Sequence, residues 1–106
     1  MSAIHLIKNN RGLPQITPIE RGSNIYISGY WVILESKAKE LIGEKIFFHT
    51  HHQEQPSFFG GVIVDATIQE QSPYEGRIVF TFRSDQSCKG VTTPRIGWSQ
   101  EMKIVP

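Results

Sequence analysis

Tyr30-Trp31-Val32-Ile33-Leu34, then Ser36 to Ile42 and Gly43, then Glu44-Lys45-Ile46-Phe47-Phe48-His49 is the stretch on which the fold turns. The first run is apolar and β-prone, and predicts a strand. Ser36 is placed to accept from first-turn amides as an N-cap, and Ala38, Leu41 and Ile42 recur at helical spacing. Gly43 supplies a left-handed stop. Two turns of helix do not persist alone in water, so this stripe must rest on a sheet. The next run is a second strand, with Ile46 and Phe48 on one face and Lys45, Phe47 and His49 on the other.

Working outward, a polar loop through Ser57 leads to a strand predicted over Phe58 to Ile68, where Val62, Val64, Ala66 and Ile68 alternate with Ile63, Asp65 and Thr67. Gly60-Gly61 inside it signals a bulge or a close approach to the backbone. Arg77 to Arg83 is a further strand with Ile78, Phe80 and Phe82 as its inward row. Upstream, Ile4 to Lys8 reads as a short strand or an ordered arm. Asn9-Asn10-Arg11-Gly12 is a turn, and Pro14 and Pro18 keep the following stretch extended. After Asp85 periodicity is lost until Trp98, with Gly90, Pro94 and Gly97 as punctuation, and Met102 to Val105 closes as a strand. The expectation is a mainly β (α+β) single domain over residues 1–106. It is a small curved sheet or β-barrel with one or two short helices, and residues 1–24 form an N-terminal arm or irregular segment packed on it.

Composition bounds the function. With 39% hydrophobic and 20% charged residues, the chain can bury a core and is not a disordered one. Net charge is +1, but the middle (35–76) holds seven carboxylates against three lysines, so both ends are basic. That leaves room for a positive face without the strong basicity of a nucleic-acid coat. One cysteine, Cys88, excludes an internal disulfide and a cysteine-based zinc site. No apolar run approaches the ~20 residues of a membrane span, and no secretion signal opens the chain. A cytoplasmic protein with no membrane partner is expected.

No familiar catalytic set emerges. His49-Thr50-His51-His52 would align His49 and His51 on one strand face, with Glu54 or His5 as the further ligand a metal needs. The alternative is a polar strand end, and the expectation is no metal, no catalytic residue and no cofactor. The serines lie in no G-x-S-x-G elbow, and Gly60-Gly61 lacks the third glycine of a dinucleotide fingerprint. The aromatics speak more clearly. Neighbours along a strand face opposite ways, so one of Tyr30 and Trp31, and one of Phe58 and Phe59, should turn from the core. Bases stack on such rings. Trp31 and Phe59 are therefore expected as stacking groups, with Tyr30 beside them. Arg95 is expected as an anion contact, His49 and Ser57 as hydrogen-bonding pocket groups and Trp98 as a lid. The same aromatics read equally well as core or as a dimer contact.

The order of Tyr30-Trp31, short helix, Gly43-Glu44-Lys45-Ile46-Phe47-Phe48-His49, polar loop and Gly60-Gly61-Val62-Ile63 resembles the PUA-like superfamily, especially its EVE and ASCH branches. The likeness covers about half of the chain. It implies a small β-barrel that binds RNA, or modified-base DNA through a flipped base, at the barrel mouth. By position, Trp31, the segment from His49 through Ser57, and Gly60-Gly61 would border that pocket. The chain departs from the pattern in having Gly-Glu where the family has Gly-Asp, and in lacking lysine-rich flanks. It is also similar to small bacterial proteins of mobile genes, a likeness that implies no activity. The leading expectation is a non-catalytic module recognising a nucleobase or nucleic acid. The alternatives are a protein-interaction or homodimerising module, with Phe58, Phe59 and a sheet edge as its contact, and a histidine-dependent metal binder or enzyme.

Overall fold

The structure is a computed structural model and describes residues 2–7, 16–19, 22–49, 56–94, 98 and 102–105. The strands are β1 (Ala3–Ile7), β2 (Ile16–Pro18), β3 (Ile25–Trp31), β4 (Lys45–His49), β5 (Phe59–Ile68), β6 (Ile78–Ser84) and β7 (Met102–Val105). Among the described residues one helix, α1 (Glu35–Glu40), lies between β3 and β4, and a single 3-10 turn spans Gln86–Cys88. These seven strands form one sheet in the order β2-β3-β6-β5-β4-β1-β7. Every pairing is antiparallel except β1 on β4.

The fold is thus mainly β, and of the two expected forms it is the curved sheet rather than the closed barrel. Among the described residues β2 and β7 remain open edges. The curl is nonetheless strong, because Ile16 at one edge and Met102 and Ile104 at the other rest on the same core. That core is built from Ile4, Leu6, Ile46, Phe48, Ile63, Ala66, Ile78, Phe80 and Phe82, capped by Ala38 and Leu41 of the helix region. Each fully buried Phe or Ile contributes about 1.5–3 kcal/mol.

Several expectations change. Of the two readings of the segment at Ile4 to Lys8, the strand holds and the arm does not. The alternation in Ala3-Ile4-His5-Leu6-Ile7 gives a strand buried on both faces, held between β4 and β7. The strand expected over Tyr30–Leu34 begins earlier, at Ile25, and stops at Trp31. Its last partner, Ile78, is the first residue of β6, so nothing remains for Val32 to pair with. Val32 and Leu34 are instead 74% and 76% exposed. Ser36 does not cap the helix; it lies within it, and Leu34 occupies the cap position with no side-chain bond. Ile42 falls beyond the helix and is partly exposed, so the buried stripe is Ala38 and Leu41 alone. Gly43 does adopt the left-handed conformation, at φ 92°, and its N–H donates to the Ile63 carbonyl at 2.7 Å.

Along β5 the register shifts between Ile63 and Asp65. This irregularity moves the inward phase, so Ile63 and Ala66 are both buried while Val64 is exposed. The bulge is there and not at Gly60-Gly61, which pair in unbroken register with Phe47 and Ile46. The glycines meet the other reason for their presence. A Cβ on Gly60 would lie 2.3 Å from the Ile46 carbonyl oxygen and 2.8 Å from Cys88 Cβ, and one on Gly61 would lie 2.0 Å from the Arg83 carbonyl oxygen. Backbone has no slack to yield at such distances. Gly61→Ala should therefore lower stability by about 3 kcal/mol or more, at or above the top of the overpacking range. Urea denaturation checks this, with Gly22→Ala as a comparison at a site where no atom lies within 4 Å and only the positive φ is strained.

Candidate functional site

The face of the sheet opposite the core carries the polar chemistry. Alternation sends Ile4, Leu6, Ile46 and Phe48 to the core, and therefore sends His5, Phe47 and His49 the other way. Direct cross-strand register sets His5 beside Phe47 on one side and Lys103 on the other. The His5 ring stacks on Phe47, with centroids 4.7 Å apart. Residues after β6 lie over this face. Cys88 sits against Gly60, the Pro94 carbonyl accepts from Lys103 Nζ at 2.6 Å, and the Trp98 ring is edge-on to His5 and His49 at 6.2 and 5.6 Å.

His5 Nδ1 and His49 Nε2 are 2.8 Å apart, so one imidazole donates its N–H to the lone pair of the other. Both residues are buried, as is Lys103. Burial, then the neighbouring His49 and Lys103, lower the His5 pKa from 6.5 to about 4. Near neutral pH His5 is consequently uncharged, bonded to His49 and directly across the strands from Lys103. A cation cannot occupy the two facing nitrogens while that bond stands. The structure thus joins His49 to His5 directly, by a hydrogen bond, whereas the other ligands considered, His51 and Glu54, lie outside the described residues with His52. Among the described residues there is no cluster of three or more His, Cys, Asp or Glu suited to a metal. Among them, too, no helix is long and apolar enough to cross a membrane.

A second patch lies at the β5–β6 end. The loop between these strands is closed by Gln69 N–H donating to the Arg77 carbonyl at 2.7 Å, which fixes Tyr74 at its tip. Tyr74 stacks on Tyr30 with centroids 4.5 Å apart and planes 12° from parallel, and the Arg77 guanidinium lies 5.6 Å from the Tyr74 centroid. Both tyrosines are half-buried, so each keeps part of its ring in solvent.

The residues expected to share one pocket are divided among separate places. Trp31 belongs to the core: it is 9% exposed, and its Nε1 donates to Ser28 Oγ at 3.0 Å. No ring face remains there for a base. Phe59 likewise rests on the core, edge-on to Tyr26 and Phe82, and Phe58 is the more exposed member of that pair. Ser57 is buried and pins two loops together, donating to the Cys88 carbonyl at 2.5 Å and accepting from Val91 N–H at 3.0 Å. His49 and Trp98 do meet. Tyr30 stands apart with Tyr74, and Arg95 lies outside the described residues. The reading by sequence missed Phe47, Lys103 and Tyr74 as site residues and had His5 only as a possible further metal ligand beside His49. A further signal for His5 was a polar residue alternating with apolar ones in Ile4-His5-Leu6. No family model, no curated protein and no solved structure matches this chain.

The His5 shift has a definite sign. With a folded pKa near 4 and an unfolded value of 6.5, the unfolded chain binds more protons between those limits. Stability is therefore fully present above pH 6.5 and falls as pH drops toward 4, at up to ~1.4 kcal/mol per pH unit. Urea midpoints at pH 7.5 and 4.5 should show this loss. The double variant His5→Phe/His49→Leu, which removes both partners together, should show a markedly smaller one.

Proposed function

We propose that this protein is a non-catalytic binding module that takes a nucleobase of single-stranded nucleic acid on the Tyr30–Tyr74 stack. The observation that carries the reading is this pair of parallel, half-exposed rings with Arg77 against them. A base adds to such a stack for about 1–3 kcal/mol, whatever its identity, because every base has a π face. Arginine beside it serves a phosphate or a base edge. The basic ends of the chain favour the same ligand class, as does the pattern likeness to PUA-like domains, and RNA or modified-base DNA is the partner both suggest. A single thiol with no disulfide fits a reducing, cytoplasmic setting.

Fluorescence anisotropy with labelled single-stranded RNA and DNA tests it. Tyr30→Ala should weaken binding about 5- to 150-fold, the equivalent of ~1–3 kcal/mol. Tyr30→Phe should retain it. Arg77→Met should reduce the salt dependence by about one phosphate contact. An affinity untouched by Tyr30→Ala, or no binding to either oligonucleotide, removes the reading.

A second reading, a homodimer contact, is supported by Val32 and Leu34, whose apolar side chains are largely exposed on either side of Ile33. Sedimentation at two concentrations checks it: a concentration-dependent dimer that Leu34→Asp abolishes is the expected result, and a monomer at both concentrations rejects it.

A further inference from the structure

The polar cluster beneath Trp98 is independent of the Tyr30–Tyr74 stack and has a composition of its own. Trp98 Nε1 is buried and has no hydrogen-bond partner among the described residues. The other tryptophan of the chain, Trp31, has its indole N–H satisfied by Ser28. A buried donor left unpaired is costly, and a native structure keeps one where something else accepts from it. Lys103, directly across the strands from His5, is buried with an ammonium that carries three donors, one of which the Pro94 carbonyl takes. The imidazole pair adjoins both: Trp98 is edge-on to His5 and His49, and Lys103 is directly across the strands from His5. No described carboxylate is bonded to this ammonium. The cluster is thus a set of N–H donors beside a lysine, on the face of the sheet opposite the core.

We propose that the donor cluster formed by Trp98, Lys103 and the His5–His49 pair is a binding site for one anionic oxygen group, a carboxylate or a phosphate, accepting from the Trp98 indole N–H and neutralised by the Lys103 ammonium. Charge-assisted bonds to such a group are the strong ones, and a low-dielectric setting strengthens them further. A metal cation is disfavoured by the same features, since the nearest fixed charge is positive.

The two indole N–H resonances make the test internal. Titration with inorganic phosphate, and separately with acetate, at constant ionic strength should move the Trp98 resonance along a saturable curve. The Trp31 resonance should stay in place. A shift with phosphate alone identifies a phosphate site, with acetate alone a carboxylate site, and with both a site for either oxyanion. Lys103→Met should abolish the shift while the unmoved Trp31 resonance reports an intact fold. Should that variant not fold, phosphate or acetate should raise the melting temperature of the wild type and fail to do so in Trp98→Phe. A Trp98 resonance indifferent to both anions, or one that moves equally in Lys103→Met, overturns the proposal. So does an equal rise of melting temperature in Trp98→Phe.

Discussion

The structure depends on how closely three backbones can approach at Gly60-Gly61. The Ile46 carbonyl on β4, the Arg83 carbonyl on β6 and Cys88 all come within a distance that forbids any side chain on β5 at this point. Without that approach β5 could not hold both neighbours in register while the residues after β6 turn back over the sheet. The 3-10 turn at Gln86–Cys88 settles there, with Asp85 as its cap accepting from Ser87 N–H. Ser57 then ties Cys88 and Val91 to the start of β5. The polar cluster beneath Trp98 lies on the same face, where Pro94 meets Lys103 of β7 and Trp98 meets His5 of β1 and His49 of β4.

Much of the sheet was legible in the residues because period-two alternation is a local property. The inward row Ile78, Phe80 and Phe82 and the division of β4 into Ile46/Phe48 against Phe47/His49 follow from it directly, and both are as expected. Errors arise where a non-local event resets the phase. The register shift near Val64 comes from pairing with β6, and nothing in Val62-Ile63-Val64-Asp65 announces it. The end of β3 is set by where β6 begins, so Val32-Ile33-Leu34 looks like strand and is not. Ser36 has the chemistry of a cap, yet the helix starts one residue before it.

The site was legible only in fragments for the same reason. That one of two adjacent aromatics must turn outward is correct at Tyr30-Trp31, but alternation does not say which one, and the hydrogen bond to Ser28 settles Trp31 inside. The His5–His49 contact joins residues 44 positions apart through a parallel strand pair, a relation with no local trace. Lys103 enters through the last strand, further still. Histidine spacing within His49-Thr50-His51-His52 drew attention to the right residue, with His5 considered beside it only as a metal ligand.

The placement of β1 has a bearing on kinetics. The β5–β6 hairpin joins residues close in sequence and closes a short loop, whereas Ala3 pairs with Lys45 on one side and with Val105 on the other. Closing those long spans costs chain entropy before any pairing rewards it. Loop-closure entropy thereby favours pairing of β5 with β6 ahead of the seating of β1.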